Sequence, residues 1–189
     1  MKNTNKMKTG LMATVLVAVI TATYLIGFLQ GQRLAAQQEI NFPHIVNVVI
    51  RRNGEVVYNY TTHNILTTIG ARLVRNILGF DNETQRQVKY IALSSDTNPD
   101  KTWTKLPNEY TTGGLERKAG TPSVINATAF QVVAQWTSST TTTIKCTALH
   151  WDGTSGSDNN MWAVASIPDA SVIPNDEIQV TWKVNIPDG

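Results

Sequence analysis

The chain reads as mainly β: an antiparallel β-sandwich of jelly-roll or immunoglobulin-like type, with about eight strands, one short amphipathic helix and a hydrophobic helix at the N-terminus. Three observations predict it. "DEIQVTWKVNI" alternates apolar and polar residues with the period of two that marks a half-buried strand, and shorter stretches of the same kind recur. Turn-forming clusters of Asn, Asp, Gly and Pro separate these stretches without alternating helices, which argues against βαβ units. Downstream of the N-terminus, one segment carries helical periodicity.

The N-terminus is organised as a leader. Leu11 to Leu29 is a run of 19 residues without a charge. It follows Lys2, Lys6 and Lys8 and precedes Arg33 and the small residues of "RLAAQQE". A basic flank, an apolar stretch and small residues beyond it describe a cleaved secretory signal. The length also suits a retained anchor, since a bilayer span takes about 20 apolar residues. A pilin-type leader cut after Gly10 is the third reading, although Thr9 stands before the cut and no Glu occupies the fifth position after it. In each case the lysines hold the N-terminus in the cytoplasm and the remainder lies outside. The expected organisation is residues 1–36 as signal peptide or membrane anchor, 37–43 as an N-terminal arm, and 44–189 as the β-sandwich domain.

Within the exported part, "HIVNVVIRRNGEVVYNYTT" places two β-rich runs around Asn53-Gly54. Asn-Gly suits a two-residue type I′ turn, so a hairpin is expected. The period then changes: Leu66, Ile69, Leu73, Val74 and Ile77 recur at helical spacing. Thr67 or Thr68 caps a helix over about Thr68 to Leu78, and Gly79 ends it. Strands follow at Val88–Leu93, once within "LERKAGTPSVI", and in "AFQVVAQWT", where Phe130, Val132, Ala134 and Trp136 share a face. "TTTIKCTALHW" puts Ile144, Cys146, Ala148 and His150 on one side. "MWAVASI" is nearly continuous and apolar, as a central strand should be. In the last strand Ile178, Val180, Trp182, Val184 and Ile186 face inward.

Charge and cysteine content narrow the function. The chain is +2, from 16 basic and 14 acidic residues. Without Lys2, Lys6, Lys8 and Arg33, 12 basic residues face 14 acidic ones from Gln37 onward, a net −2. No basic body remains to grip phosphates, so nucleic acid is not an expected partner. Cys146 is the single cysteine, which precludes an intramolecular disulfide. "NYT" at Asn59, "NET" at Asn82 and "NAT" at Asn126 are acceptor triplets for N-glycosylation in an exported protein.

No catalytic motif stands out. His44, His63 and His150 lack metal-ligand spacing, and there is neither a Gly-x-Ser-x-Gly elbow nor a phosphate-cradling loop. Cys146 falls on an apolar strand face and reads as a packed thiol. Asp96 and Asp100 in "DTNPD", and Asp152 and Asp158 in "DGTSGSDNN", are the weak calcium candidates. Asx turns are the preferred reading, because neither loop has the EF-hand order of ligands. Glu109, Glu116 and Asp152 are the acids a glycosidase pair would draw on, but sequence does not bring two of them to one cleft. No cofactor is expected.

From Asn64 to Ile186 the segments "NILTTIGARLVRNILGF", "KYIALSSDTNP", "LPNEYTTGGLERKAGT", "LHWDGTSGSDNNMWAVASI" and "VTWKVNI" resemble the β-rich domains of phage tail-fibre and related virion proteins. Leu106, Glu109 and Arg117 stand where that pattern has its "L-x-x-E" loop and Arg-bearing strand. The resemblance implies a fold for binding or assembly, and it transfers no functional residues. Phage tail proteins are usually assembled in the cytoplasm without a leader. The membrane-directing N-terminus therefore shifts the likeness towards secreted β-sandwich filament subunits of the archaeal thread or pilus kind. Those filaments commonly join subunits by an N-terminal strand lent to the neighbour. Here the corresponding arm is "QQEINFPHIVNVV", in which Ile40 and Phe42 alternate and Pro43 separates the arm from the hairpin. The alternative is that this segment leads into the domain's own first strand.

These readings add up to a non-enzymatic structural subunit of an extracellular filament, or an adhesive surface protein, with copies of itself as partners. A glycan or cell-surface receptor is a further partner, and the membrane is one if the leader stays. A virion tail or spike protein is the alternative, and a secreted carbohydrate-active enzyme the second alternative.

Overall fold

The computed structural model describes residues 44–79 and 87–185. The hydrophobic N-terminal run, the arm 37–43 with Ile40 and Phe42, Asn82 and Ile186 lie outside the described residues. The domain has ten strands and one helix, in the order β1 Ile45–Arg52, β2 Glu55–His63, β3 Ile65–Leu66, α1 Thr68–Gly79, β4 Tyr90–Ser94, β5 Lys118–Ala119, β6 Thr121–Asn126, β7 Ala129–Thr137, β8 Thr142–His150, β9 Met161–Val172 and β10 Glu177–Asn185. They form two five-stranded sheets, β2-β1-β10-β7-β6 and β3-β9-β8-β4-β5, and every pairing is antiparallel. Ten strands replace the eight or so expected because the β2 run continues into the two-residue β3, and "LERKAGTPSVI" holds two strands, β5 and β6, instead of one.

Local chemistry accounts for the first elements. Asn53 (φ 53°) and Gly54 (φ 85°) both occupy the left-handed region that a type I′ turn demands, and the turn joins β1 to β2 as the sequence predicts. Thr67 is the helix cap: its Oγ1 accepts the Gly70 N–H at 2.9 Å. The same hydroxyl donates to the carbonyls of Met161 and Trp162, tying the start of α1 to β9. Gly70 permits this approach, since an added Cβ would lie 2.0 Å from the Trp162 carbonyl oxygen.

The two sheets share one core. Val46, Val48 and Ile50 of β1, Val132, Ala134 and Trp136 of β7, and Ile178, Val180, Trp182 and Val184 of β10 meet Ile91, Leu93, Ile144, Leu149, Ala163, Ala165 and Ile167 of the other sheet. The alternation read in β7 and β10 therefore holds for the described residues. In β8 it does not hold. The register with β9 shifts between Ile144 and Cys146, where Lys145 alone stands against Ile167 to Asp169, and the face that later β8 residues take is reversed there. Ile144 and Leu149 enter the shared core, whereas Cys146 and Ala148 join a second cluster with Ala92, Leu106, Met161 and Val164. The long loop after β4 covers that second face by contributing Leu106 and the half-buried Trp103.

Candidate functional site

Glu109 and Arg117, eight residues apart in the connection between β4 and β5, form a buried ion pair. Arg117 Nε donates to Glu109 Oε1 at 2.8 Å and Nη2 to Oε2 at 2.7 Å, with the side chains 0% and 3% exposed. Arg117 Nη1 also reaches the Asp152 carbonyl at 3.0 Å and Asn160 Oδ1 at 3.3 Å. Asn160 Oδ1 lies 2.7 Å from His150 Nδ1, and the Gly156 N–H donates to Glu109 Oε2 at 3.0 Å. Because Asn160 Oδ1 only accepts, His150 Nδ1 carries the proton. Burial, then the Arg117 charge, push the His150 pKa down to about 3, so the imidazole is neutral. The cluster fastens the Asp152–Asn160 loop and the Glu109 segment to one end of the sheet. Both Glu109 oxygens are occupied by donors, two from Arg117 and one from the Gly156 N–H.

The four aspartates of the calcium reading are each turned onto neighbouring groups. Asp96 accepts from the Thr97 N–H (2.7 Å) and from Asn108 Nδ2 (3.0 Å). Asp100 accepts from the N–H (2.7 Å) and hydroxyl (2.8 Å) of Thr102, and these bonds hold its pKa below the usual carboxylate range. Asp152 caps the Thr154 N–H at 2.7 Å, and that bond likewise lowers its pKa. Asp158 Oδ1 lies 3.5 Å from the Thr104 hydroxyl. Among the described residues no group of three or more His, Cys, Asp or Glu converges to hold a metal ion. Asp100 and Asp152, each accepting from the N–H two residues on, form Asx turns.

The remaining predicted residues are scattered. Cys146 is buried, and burial pushes its thiol up to about 12. His44 is fully buried, accepts the Asn185 N–H at Nδ1 (3.2 Å), stacks 4.6 Å from the Trp162 ring, and is pushed down to about 4 by burial. Glu116 is exposed and accepts the Gly114 N–H at 3.3 Å, away from the buried Glu109. Asn59 stands exposed on β2 and accepts from Asn47 Nδ2 at 2.9 Å. Asn126 stands at the β6–β7 turn, where it accepts from the N–H (3.0 Å) and hydroxyl (3.3 Å) of Thr128.

One feature of sheet β2-β1-β10-β7-β6 escaped the sequence reading. Its outer strand β6, "TPSVIN", carries no charge and is exposed at all six residues; Val124 is 82% and Ile125 45% exposed. Pro122 and Val124 lie opposite Val132 and Phe130, so they share the core-side face of the sheet but extend past what covers it. β6 pairs with only part of β7, up to Val133. Beyond it Lys118 Nζ donates to the Gln135 carbonyl at 2.6 Å and caps the bare stretch of β7. Such a charged cap protects an edge; β6 has none. Pro122 was the available signal, since proline in a strand is confined largely to edges and bulges.

Among the described residues no helix is long and apolar enough to cross a membrane. No known protein family, curated protein or solved structure matches this chain.

Proposed function

We propose that this chain is a non-enzymatic structural subunit of an extracellular filament or adhesive cell surface, carried outside by its N-terminal segment and polymerising with copies of itself by strand addition. The observation that carries this reading is β6: an uncharged strand, exposed on both faces, closing a five-stranded sheet with no charged cap of its own. An open edge of this kind is a template for main-chain pairing with another chain. Head-to-tail pairing of that kind propagates instead of closing.

The chemistry of the loops agrees with a structural role. The polar cluster around Glu109 and Arg117 is spent on holding loops to the sheet, with the two side chains paired to each other. Among two-layer β folds, a jelly-roll type is favoured over an immunoglobulin type. The pairings nest as in one long folded hairpin: β1 with β10, β3 with β9, β4 with β8, and β6 with β7.

A virion tail or spike protein is the second reading. What favours it is the Glu109–Arg117 ion pair, which unites the two positions on which the resemblance to virion β-domains rests. Negative-stain microscopy with antibodies against the domain separates the two. Label along cell-surface threads supports the filament, label confined to particles supports the virion protein, and label only in the cytosol removes both.

A further inference from the structure

We propose that the groove on the outer face of sheet β2-β1-β10-β7-β6, walled by Arg51 and Lys118, binds an acidic saccharide: Arg51 takes the sugar carboxylate, and Gln135, Gln179 and Glu177 take its hydroxyls. The proposal goes beyond the filament reading and does not depend on how copies of the chain join.

Strand register builds the groove. Arg51 of β1 lies opposite Glu177 of β10, and Glu177 opposite Thr137 of β7, so the three form one row across the sheet. Gln179 and Gln135 stand opposite each other in the neighbouring outward row. Ile178 and Trp136, between those rows, point into the core, so the other five residues face outward. The pairing of β6 with β7 ends at Val133, which leaves this stretch of β7 without a neighbour in its own sheet. Lys118 comes across from β5 of the other sheet, donates from Nζ to the Gln135 carbonyl at 2.6 Å, and forms the far wall. Two strand spacings, about 10 Å, separate the backbones of Arg51 and Thr137. The groove encloses about 250 Å³, room for a sugar ring.

Its polar groups are largely unspent. Arg51 is half-buried and makes no hydrogen bond or ion pair with the other described residues. Its planar fork matches a carboxylate side-on. Lys118 has given one ammonium proton to the Gln135 carbonyl and keeps the rest. Gln135 Nε2 donates to Gln179 Oε1 at 3.0 Å. That bond steadies both amides and leaves Gln135 Oε1 to accept and Gln179 Nε2 to donate, the combination that neighbouring sugar hydroxyls need. Two cations against the Glu177 carboxylate leave a single net positive charge, which suits one carboxylate. A phosphomonoester, with nearly twice that charge, meets Glu177 as a repelling neighbour. Trp136 and Ile178, the apolar residues bordering the groove, are spent in the core, so nothing there receives the side chain of a peptide.

The test is ligand-observed saturation-transfer NMR on the full chain, which reads weak binding to monomers and polymers alike. Methyl glycosides of glucuronate, galacturonate and N-acetylneuraminate are titrated beside methyl glucoside, and inorganic phosphate is scored by competition. An acidic glycoside should bind saturably and about tenfold or more tightly than the glucoside, with phosphate competing poorly. Arg51→Gln should weaken that binding about tenfold, the loss of one charge-assisted pair, and Arg51→Lys should weaken it less. Glu177→Gln should make phosphate a better competitor. All three variants should keep the wild-type melting temperature, since neither side chain has a partner to lose. No saturable binding of any acidic glycoside, equal binding of the glucoside, or wild-type affinity in Arg51→Gln overturns the proposal. Phosphate that competes as well as the acidic sugar reduces the groove to an unspecific anion spot and overturns it too. None of these outcomes touches the filament reading, which microscopy tests separately.

Discussion

Arg117 holds Glu109 side-on, with two parallel N–H···O contacts of 2.8 and 2.7 Å between side chains that solvent barely touches. Breaking one half leaves the other charge buried and unpaired, which costs roughly 3–5 kcal/mol. Glu109→Gln and Arg117→Met are each expected to lower the urea midpoint by that order. The double variant Glu109→Leu with Arg117→Met should recover much of the loss, because no lone charge remains. A double variant whose loss is the sum of the singles would show that the pair is not the unit of stability.

Trp182 is fully buried at the centre of the shared core, opposite Val46 on β1 and Val132 on β7. Trp182→Ala is expected to cost about 3–5 kcal/mol through lost contacts and an unfilled cavity. Its indole N–H has no partner among the described residues, so Trp182→Phe sacrifices volume but no hydrogen bond and should cost clearly less. Thermal melts that rank the two variants in the reverse order would refute this.

The buried histidines make the domain acid-sensitive. In the folded state His44 has a pKa of about 4 and His150 about 3, both driven down first by burial, against 6.5 when unfolded. Between pH 6.5 and those values the unfolded chain binds more protons than the folded one, so stability falls as the pH drops through this window. Asp176, whose pKa is lowered chiefly by its hydrogen bond to Arg52, adds a loss only below the usual carboxylate range. Urea midpoints measured from pH 8 to pH 4 should be level above about pH 7 and decline below it. His44→Gln should shallow the decline; an unchanged slope would show that another group controls it.

Cys146 is expected to be chemically silent. It lies under the Trp103–Leu106 loop, and its thiol is raised to about 12, so almost none is thiolate at neutral pH. Alkylation by iodoacetamide should be negligible in the folded protein and rapid in urea. Fast labelling of the native protein would mean that the covering loop opens readily.

Several elements are legible in the sequence, because their causes are local. Asn53-Gly54 dictates its turn through the φ values of two residues, and Thr67 caps α1 through a bond spanning three positions. The strict alternation from Ile178 to Val184 predicts which side of β10 is buried. Other features depend on distant segments. The irregular register between Ile144 and Cys146, whose surplus residues lie on the partner strand β9, turned Cys146 away from the core that period two assigned to it. Gly120 divides a single β-rich stretch between two sheets, a choice made by the partners of β5 and β6.

What the sequence determined by itself is the mainly β class of the domain, its hairpin, its helix and the inward faces of β7 and β10. Each of those follows from spacing and backbone preference within a dozen residues. Tertiary structure alone decided that Glu109 meets Arg117, that Lys118 shields β7, and that β6 is left bare. Burial and edge exposure are properties of strand order, and strand order is settled by contacts between segments remote along the chain.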